Sequence, residues 1–175
     1  MALEIEHKFL LANDQWRKSV SRSVHFRQGY LSSAASTSIR VRLCGDHAWL
    51  NIKSATVGHQ RHEFEYPIPC ADAEEILEML CTKPLIEKTR HYVEVGAHTW
   101  EIDEFEGANE GLIVAEIELQ DTAEAFSRPP WLGPEVTYEL RYYNNNLAHY
   151  PFREWQAHEK KPDPPPETAH DNPNN

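Results

Sequence analysis

Three cysteines in 175 residues, Cys44, Cys70 and Cys81, are an odd number with no CxxC spacing. That excludes a disulfide framework and leaves a reducing cytoplasm, with ordinary thiols, as the expected setting. No apolar run approaches the ~20 residues of a membrane span. The first residues lack the basic start and apolar stretch of a signal peptide. Ten histidines are present, but none stands in an HxxxH or Cys/His pairing, so a zinc site is not expected. Positive charge is scarce: 17 Lys and Arg against 28 Asp and Glu give a net charge of -11. A general nucleic-acid or anionic-membrane surface is excluded on that ground. Any anion site must be a local gathering of Lys and Arg.

What is there suits one domain with a sizeable core, set at residues 1–159. From Lys160 onward, "KKPDPPPETAHDNPNN" is proline-rich and polar, and 160–175 is expected to be a disordered tail. The body reads mainly as strands: 3–11, 24–31, 38–45, 47–55, 59–68, 85–95, 98–107 and 111–120, with a last strand-like stretch over 134–143 that leads into a helical turn. Gly45-Asp46 and Gly96-Ala97 mark hairpin turns. A helix is expected over 70–81, with Asp72 and Glu75 as a capping-box-like start. Shorter helices are expected around 14–22, over Asp121 to Ser127, and after Tyr143. About eight strands on short connections pair mostly antiparallel, and eight such strands close into a barrel without free edges.

Several strands carry charge at every second position, which places those charges on one face. "LEIEHKFL" aligns Glu4, Glu6 and Lys8, with His7 on the other face as packing or surface. Elsewhere Arg40 pairs with Arg42, Glu63 with Glu65, Lys88 with Arg90, and Glu116 with Glu118, while Lys53 shares a face with Asn51 and Trp49. A half-exposed sheet with one solvated face would explain any single strand. Pairs homogeneous in sign, recurring from strand to strand, point instead to a charged lumen. A carboxylate wall suits a hard divalent cation, Mg²⁺ or Mn²⁺. A wall of Lys and Arg suits phosphate. Together they are the equipment of phosphoryl transfer to water.

In order along residues 3–148, "EIEHKFL", "QGYL", "IRVR", "LNIK", "HEFEYPI", "EKTRHY", "WEIDEF", "AEIEL" and "WLGPEVTYELRYYNNNLA" resemble the CYTH-type triphosphate tunnel metalloenzymes, in their small bacterial inorganic triphosphatase branch. The resemblance implies an α+β, mainly antiparallel β fold: an eight-stranded closed barrel with a charged lumen and a few peripheral helices. It implies metal-dependent hydrolysis of inorganic triphosphate to pyrophosphate and phosphate. Metal-binding carboxylates would be Glu4, Glu6, Glu116 and Glu118. Phosphate-binding cations would be Lys8, Arg40, Arg42, Lys53, Lys88 and Arg90, with Glu63, Glu65 and Glu139 as acidic support. Tyr30 matches a tyrosine tied to preference for inorganic triphosphate. Lys88, crowded by other cations, is the candidate for proton handling, and Glu118 joins Lys88 and Tyr30 as a catalytic candidate. Two positions depart from the family pattern: Glu139 stands where Asp is common, and Leu140 where Pro is common. Expected partners are a linear triphosphate and no nucleic acid or membrane, with a homodimer allowed. Competing readings are a class IV-like adenylyl cyclase, a nucleoside or thiamine triphosphatase, and a non-catalytic polyphosphate-binding module.

Overall fold

The computed structural model of the protein describes residues 2–34, 36–54 and 60–162, apart from the side chains of 2–4, 33, 60 and 61. Most of the expected tail and the side chain of Glu4 lie outside the described residues. The strands are β1 (Ala2–Leu11), β2 (Val20–Ser33), β3 (Thr37–Cys44), β4 (His47–Ser54), β5 (Gln60–Ile68), β6 (Ile86–Val95), β7 (His98–Phe105), β8 (Ile113–Leu119) and β9 (Leu132–Glu135). The described residues also form two α-helices, α1 (Cys70–Met79) between β5 and β6 and the one-turn α2 (Asn144–His149) after β9. All strands form one antiparallel sheet in the order β5-β4-β3-β2-β6-β7-β8-β1-β9, and β5 also pairs with β1, Ala2 facing Glu63 and Ile5 facing Gln60. Among the described residues, no helix is long and apolar enough to cross a membrane.

Alternation along each strand sorts its two faces. The outward apolar side chains of β1, β6, β7 and β8 pack with Trp16 and Trp131 into one core that includes Phe9, Val93, Trp100, Ile102 and Ile117. On the far side, α1 lays Ala73 and Leu77 over Val41, Leu43 and Ala48. The inward face changes character along its length. Toward one end, Tyr30, Ile86, Phe105 and Val114 meet Tyr142, Leu147, Ala148 and Trp155 from the segment after β9. An apolar plug therefore replaces the charges there. Both hairpins turn on two residues with glycine first, at φ 54 for Gly45 and φ 64 for Gly96, a region closed to most side chains.

The sheet has nine strands rather than eight, and several expected boundaries move. In place of a helix over 14–22 there is one 3-10 turn, Gln15–Ser19, because β2 starts at Val20 and pairs with Val93 of β6. Trp16 alone anchors that turn in the core. Asp121 to Ser127 is a turn, not a helix: Asp121 accepts from the Ala123 amide at 2.8 Å and Glu124 from the Gln120 amide at 2.7 Å. These are bonds that could also open a helix, but the backbone adds only the Glu124 amide to the Asp121 carbonyl at 3.1 Å, so no helical ladder follows. Helix α1 begins after Pro69 with no side-chain cap, so Asp72 lies in its first turn and does not cap it. The strand expected over 134–143 is the short β9 instead. Chain beyond Glu135 leaves the sheet for a 3-10 turn at Leu140–Tyr142.

Gly29 on β2 has no room for a side chain. A Cβ there would sit 2.7 Å from Cys81 Cβ and 2.8 Å from Leu85 Cδ2, on the connection from α1 to β6. Gly29→Ala should therefore cost about 1–3 kcal/mol through overpacking, read as a lower urea midpoint at unchanged m-value. An unchanged midpoint would show that this connection yields freely.

Candidate active site

The inward face encloses a cavity of about 950 Å³. Period two delivers its walls: Glu6 and Lys8 from β1, Tyr30 from β2, Arg40 and Arg42 from β3, Lys53 from β4, Glu63 and Glu65 from β5, Arg90 from β6, and Glu116 and Glu118 from β8 all line it. Two expected site residues stand elsewhere. Lys88, 2% exposed, is not among the lining side chains. Glu139 is also outside the lining and pairs with Arg141.

A network of charge binds four strands together. Glu116 accepts from Lys8 through Oε1 and from Arg90 Nη2 through Oε2 at 3.0 Å. Arg90 grips Asp103 with both prongs of its fork, Nε to Oδ1 at 2.7 Å and Nη2 to Oδ2 at 2.8 Å, and its Nη1 bonds Glu101. Lys88 donates to the same Asp103 Oδ2. Burial alone would raise the Glu116 pKa, but the charges of Lys8, Arg90 and Lys88 outweigh it and hold the carboxyl well below its usual range. Lys8 shows the converse. Burial pulls its pKa down, and Glu116 with Glu6 carry it above the ordinary lysine value. For Lys88 burial wins: with Asp103 already claimed by Arg90, and Arg90 adding its own positive charge, the pKa falls to about 8.

Glu6 lies directly across from Glu118 in the β1–β8 ladder, on the cavity face. Like charges placed opposite one another repel. A divalent cation between them would relieve that repulsion. Among the described residues, no three Asp, Glu, His or Cys side chains gather as a metal site. Two carboxylates still fit a cation of the Mg²⁺ type, which binds through one or two of them and takes remaining oxygens from substrate phosphates and water.

The opposite sign gathers on β3 and β4. Arg42 Nη2 donates to Glu65 at 2.8 Å, and Lys53 lies 3.3 Å from Glu63. Asn51 Nδ2 ties the two acids together at 2.9 and 2.6 Å. Burial, and then the charge of Arg40, lower the Arg42 pKa. Arg40 differs from its neighbours. It is 7% exposed, its Nε has no hydrogen-bond partner, and no carboxylate pairs with it among the described residues. Nearby on β2, across from Arg42, Gln28 is fully buried, and neither amide atom has a hydrogen-bond partner among the described residues.

Sequence reasoning missed Glu101 and Asp103, although "WEIDEF" carries the same alternate-charge signal as the pairs it identified. It also missed Arg22, whose guanidinium lies 3.9 Å from the Tyr92 ring centre on the cavity wall. Tyr143, Asn144 to Asn146 and His149 line the cavity from irregular chain and α2, where no two-residue period exists to reveal them.

The CYTH domain family model matches residues 2–150. An inorganic triphosphatase of Acetivibrio thermocellus is 46% identical over 156 residues, covering 89% of this chain and 99% of that protein. An inorganic triphosphatase of Nitrosomonas europaea is 36% identical over 149 residues, covering 83% and 96%. A crystal structure described as an inorganic triphosphatase superposes with a TM-score of 0.61 at 33% identity, over 85% of this chain and 95% of that one.

Asp103 is 0% exposed and serves two cations at once. Asp103→Ala should cost about 3–5 kcal/mol, because Arg90 and Lys88 would remain buried beside no anion. Denaturant unfolding at pH 7 measures it, and a loss under 1 kcal/mol would mean that water replaces the carboxylate.

Proposed function

Because the chain belongs to the CYTH domain family, we propose that it hydrolyses inorganic triphosphate to pyrophosphate and orthophosphate with a divalent cation, Mg²⁺ or Mn²⁺, as its cofactor. The observation that carries this reading is Arg40, a nearly buried guanidinium on a cavity wall that no carboxylate pairs with among the described residues. A buried charge left uncompensated costs several kcal/mol, so the site is built for an incoming anion. The triphosphatases similar to this chain supply the class of that anion.

The pairing of β1 with β5 makes strands β1 to β8 a ring, which we take as a closed tunnel. In that ring β3 stands four places from β8, so Arg40 and Arg42 lie across the lumen from Glu116 and Glu118. A linear triphosphate fits between, its oxygens on Arg40, Arg42, Lys53, Lys8 and Arg90. These cations offset the charge that collects on the leaving pyrophosphate. Glu6, Glu116 and Glu118, with Glu4 two positions earlier on β1, would hold the cation. When bound it supplies Lewis-acid polarisation of phosphate oxygens. Glu63 and Glu65 aim Lys53 and Arg42 through the contacts described above, and Glu139 holds Arg141 at the edge. Tyr30 belongs to both the cavity wall and the apolar plug, so it sets how deep the substrate can enter. Lys88 takes the proton-handling role; it shares the Asp103 carboxylate with Arg90 of the cavity wall, which anchors it but, being permanently charged, passes no proton. Three free thiols suit a reducing cytoplasm.

Phosphate release from inorganic triphosphate should appear with Mg²⁺ or Mn²⁺ and vanish in chelator. Glu118→Ala should lower turnover at least about 100-fold, the range of lost transition-state charge stabilisation. Arg40→Ala should raise KM about 10–100-fold, the worth of one charge-assisted contact. Turnover of ATP or thiamine triphosphate with none of inorganic triphosphate would defeat the substrate assignment.

Lys88 can accept a proton only when neutral. With its pKa near 8, the neutral fraction falls tenfold per pH unit below that value. Thus kcat should rise with pH up to about 8 and level above it. Lys88→Arg, which cannot deprotonate in this range, should lose that limb. A profile flat from pH 6.5 to 9 would remove Lys88 from the proton-handling role.

A further inference from the structure

Chain after β9 folds back against β1 at Lys8. The Val136 amide donates to the Lys8 carbonyl at 2.8 Å, and the Lys8 amide donates to Thr137 Oγ1 at 3.0 Å. Thr137, 1% exposed, in turn accepts from Tyr143 Oη through its carbonyl at 2.8 Å. The Tyr143 ring is 7% exposed and part of the cavity wall, with its centre 5.1 Å from Lys8 Nζ. Backbone, hydroxyl and ring thus form one closed loop around a single lysine.

We propose that Tyr143 is a positioning residue for the triphosphatase reaction: its ring face holds the Lys8 ammonium toward the cavity. The carboxylate partners of Lys8, Glu116 and Glu6, lie on the β8–β1 wall and draw the ammonium toward it. An aromatic face attracts the same cation by its quadrupole without adding negative charge. Beside a substrate that is itself a polyanion, that difference matters. A third carboxylate would hold Lys8 as firmly but would repel the phosphate it serves. The proposal rests on the triphosphatase reading for its substrate, but its geometric part stands on Lys8 alone.

The test compares Tyr143→Leu with Tyr143→Phe. Both lose the bond to Thr137, so any cost to the fold is shared and the difference between them isolates the ring. Two readouts are taken: the NMR shifts of the Lys8 side-chain ε-protons, and kcat and KM for inorganic triphosphate. In the wild type and in Tyr143→Phe, ring current should move the ε-protons upfield. In Tyr143→Leu they should return to ordinary lysine values. The Leu variant should raise KM about 3- to 30-fold over the Phe variant, with kcat changed less than about threefold, the range of a desolvated cation–ring contact. Equal KM in the two variants, or wild-type ε-proton shifts in Tyr143→Leu, would overturn the proposal. A wild-type protein that fails to turn over triphosphate would sink the triphosphatase reading instead, and the NMR comparison would still decide whether the ring holds Lys8.

Discussion

Glu116 has to stay ionised while almost out of water. It faces Lys8 across one ladder and Glu101 across the other, so its own strand pairing delivers one attractive and one repulsive neighbour. Arg90 resolves the conflict from β6 by reaching Glu116, Glu101 and Asp103 together. A planar fork with five donors can do this, whereas an ammonium cannot. Through that one guanidinium the acidic face of β7 and β8 becomes tolerable, and Lys8 keeps its place on β1.

Such a network is weak evidence for net stability, because desolvation of each ion offsets much of the attraction between them. The apolar layer outside the strands supplies what the lumen does not. Phe9, Trp100, Ile102 and Ile117 are each fully buried on the opposite side of the same strands that carry Lys8, Glu101, Asp103 and Glu116. Each of these strands is divided along its length: one face holds the protein together and the other holds charge in readiness. The plug around Tyr142, Leu147 and Trp155 then limits how far the charged lining runs.

Period two explains which parts of this were legible in the sequence. Glu6, Lys8, Arg40, Arg42, Glu63, Glu65 and Glu116 all sit in regular strands, where alternate positions must share a face, and each lines the cavity. The same rule says nothing about depth. Lys88 obeys the alternation with Arg90, yet it lies near the plug, over Phe105 and outside the lining. Nor does it reach chain that leaves the sheet. "EVTYELRYY" alternates well enough to read as a strand, but Thr137 meets the Lys8 amide with its hydroxyl where a strand would use its backbone. Past that bond the ladder stops, and Tyr143 arrives at the cavity from a direction no periodicity predicts. Helix 14–22 failed for a related reason: Trp16 and Val20 are four apart, but one anchors a 3-10 turn and the other opens β2.

The groups that look worst placed are the most informative about function. Lys8, Lys53, Arg42 and Arg90 each have a carboxylate partner, so their retention could be ascribed to structure alone. Among the described residues Arg40 has none, and Gln28 buries an amide with neither donor nor acceptor used. An unsatisfied buried polar group costs about 1–3 kcal/mol, and replacing it with an apolar residue of similar shape would remove that cost. A cavity wall that keeps Arg40 on β3 is less stable empty than it could be. Binding an anion there returns what the free protein forgoes at Arg40. Affinity and instability at this wall are therefore one quantity seen from two states, and the paired cations around it serve chiefly to keep the rest of the lumen from sharing that penalty.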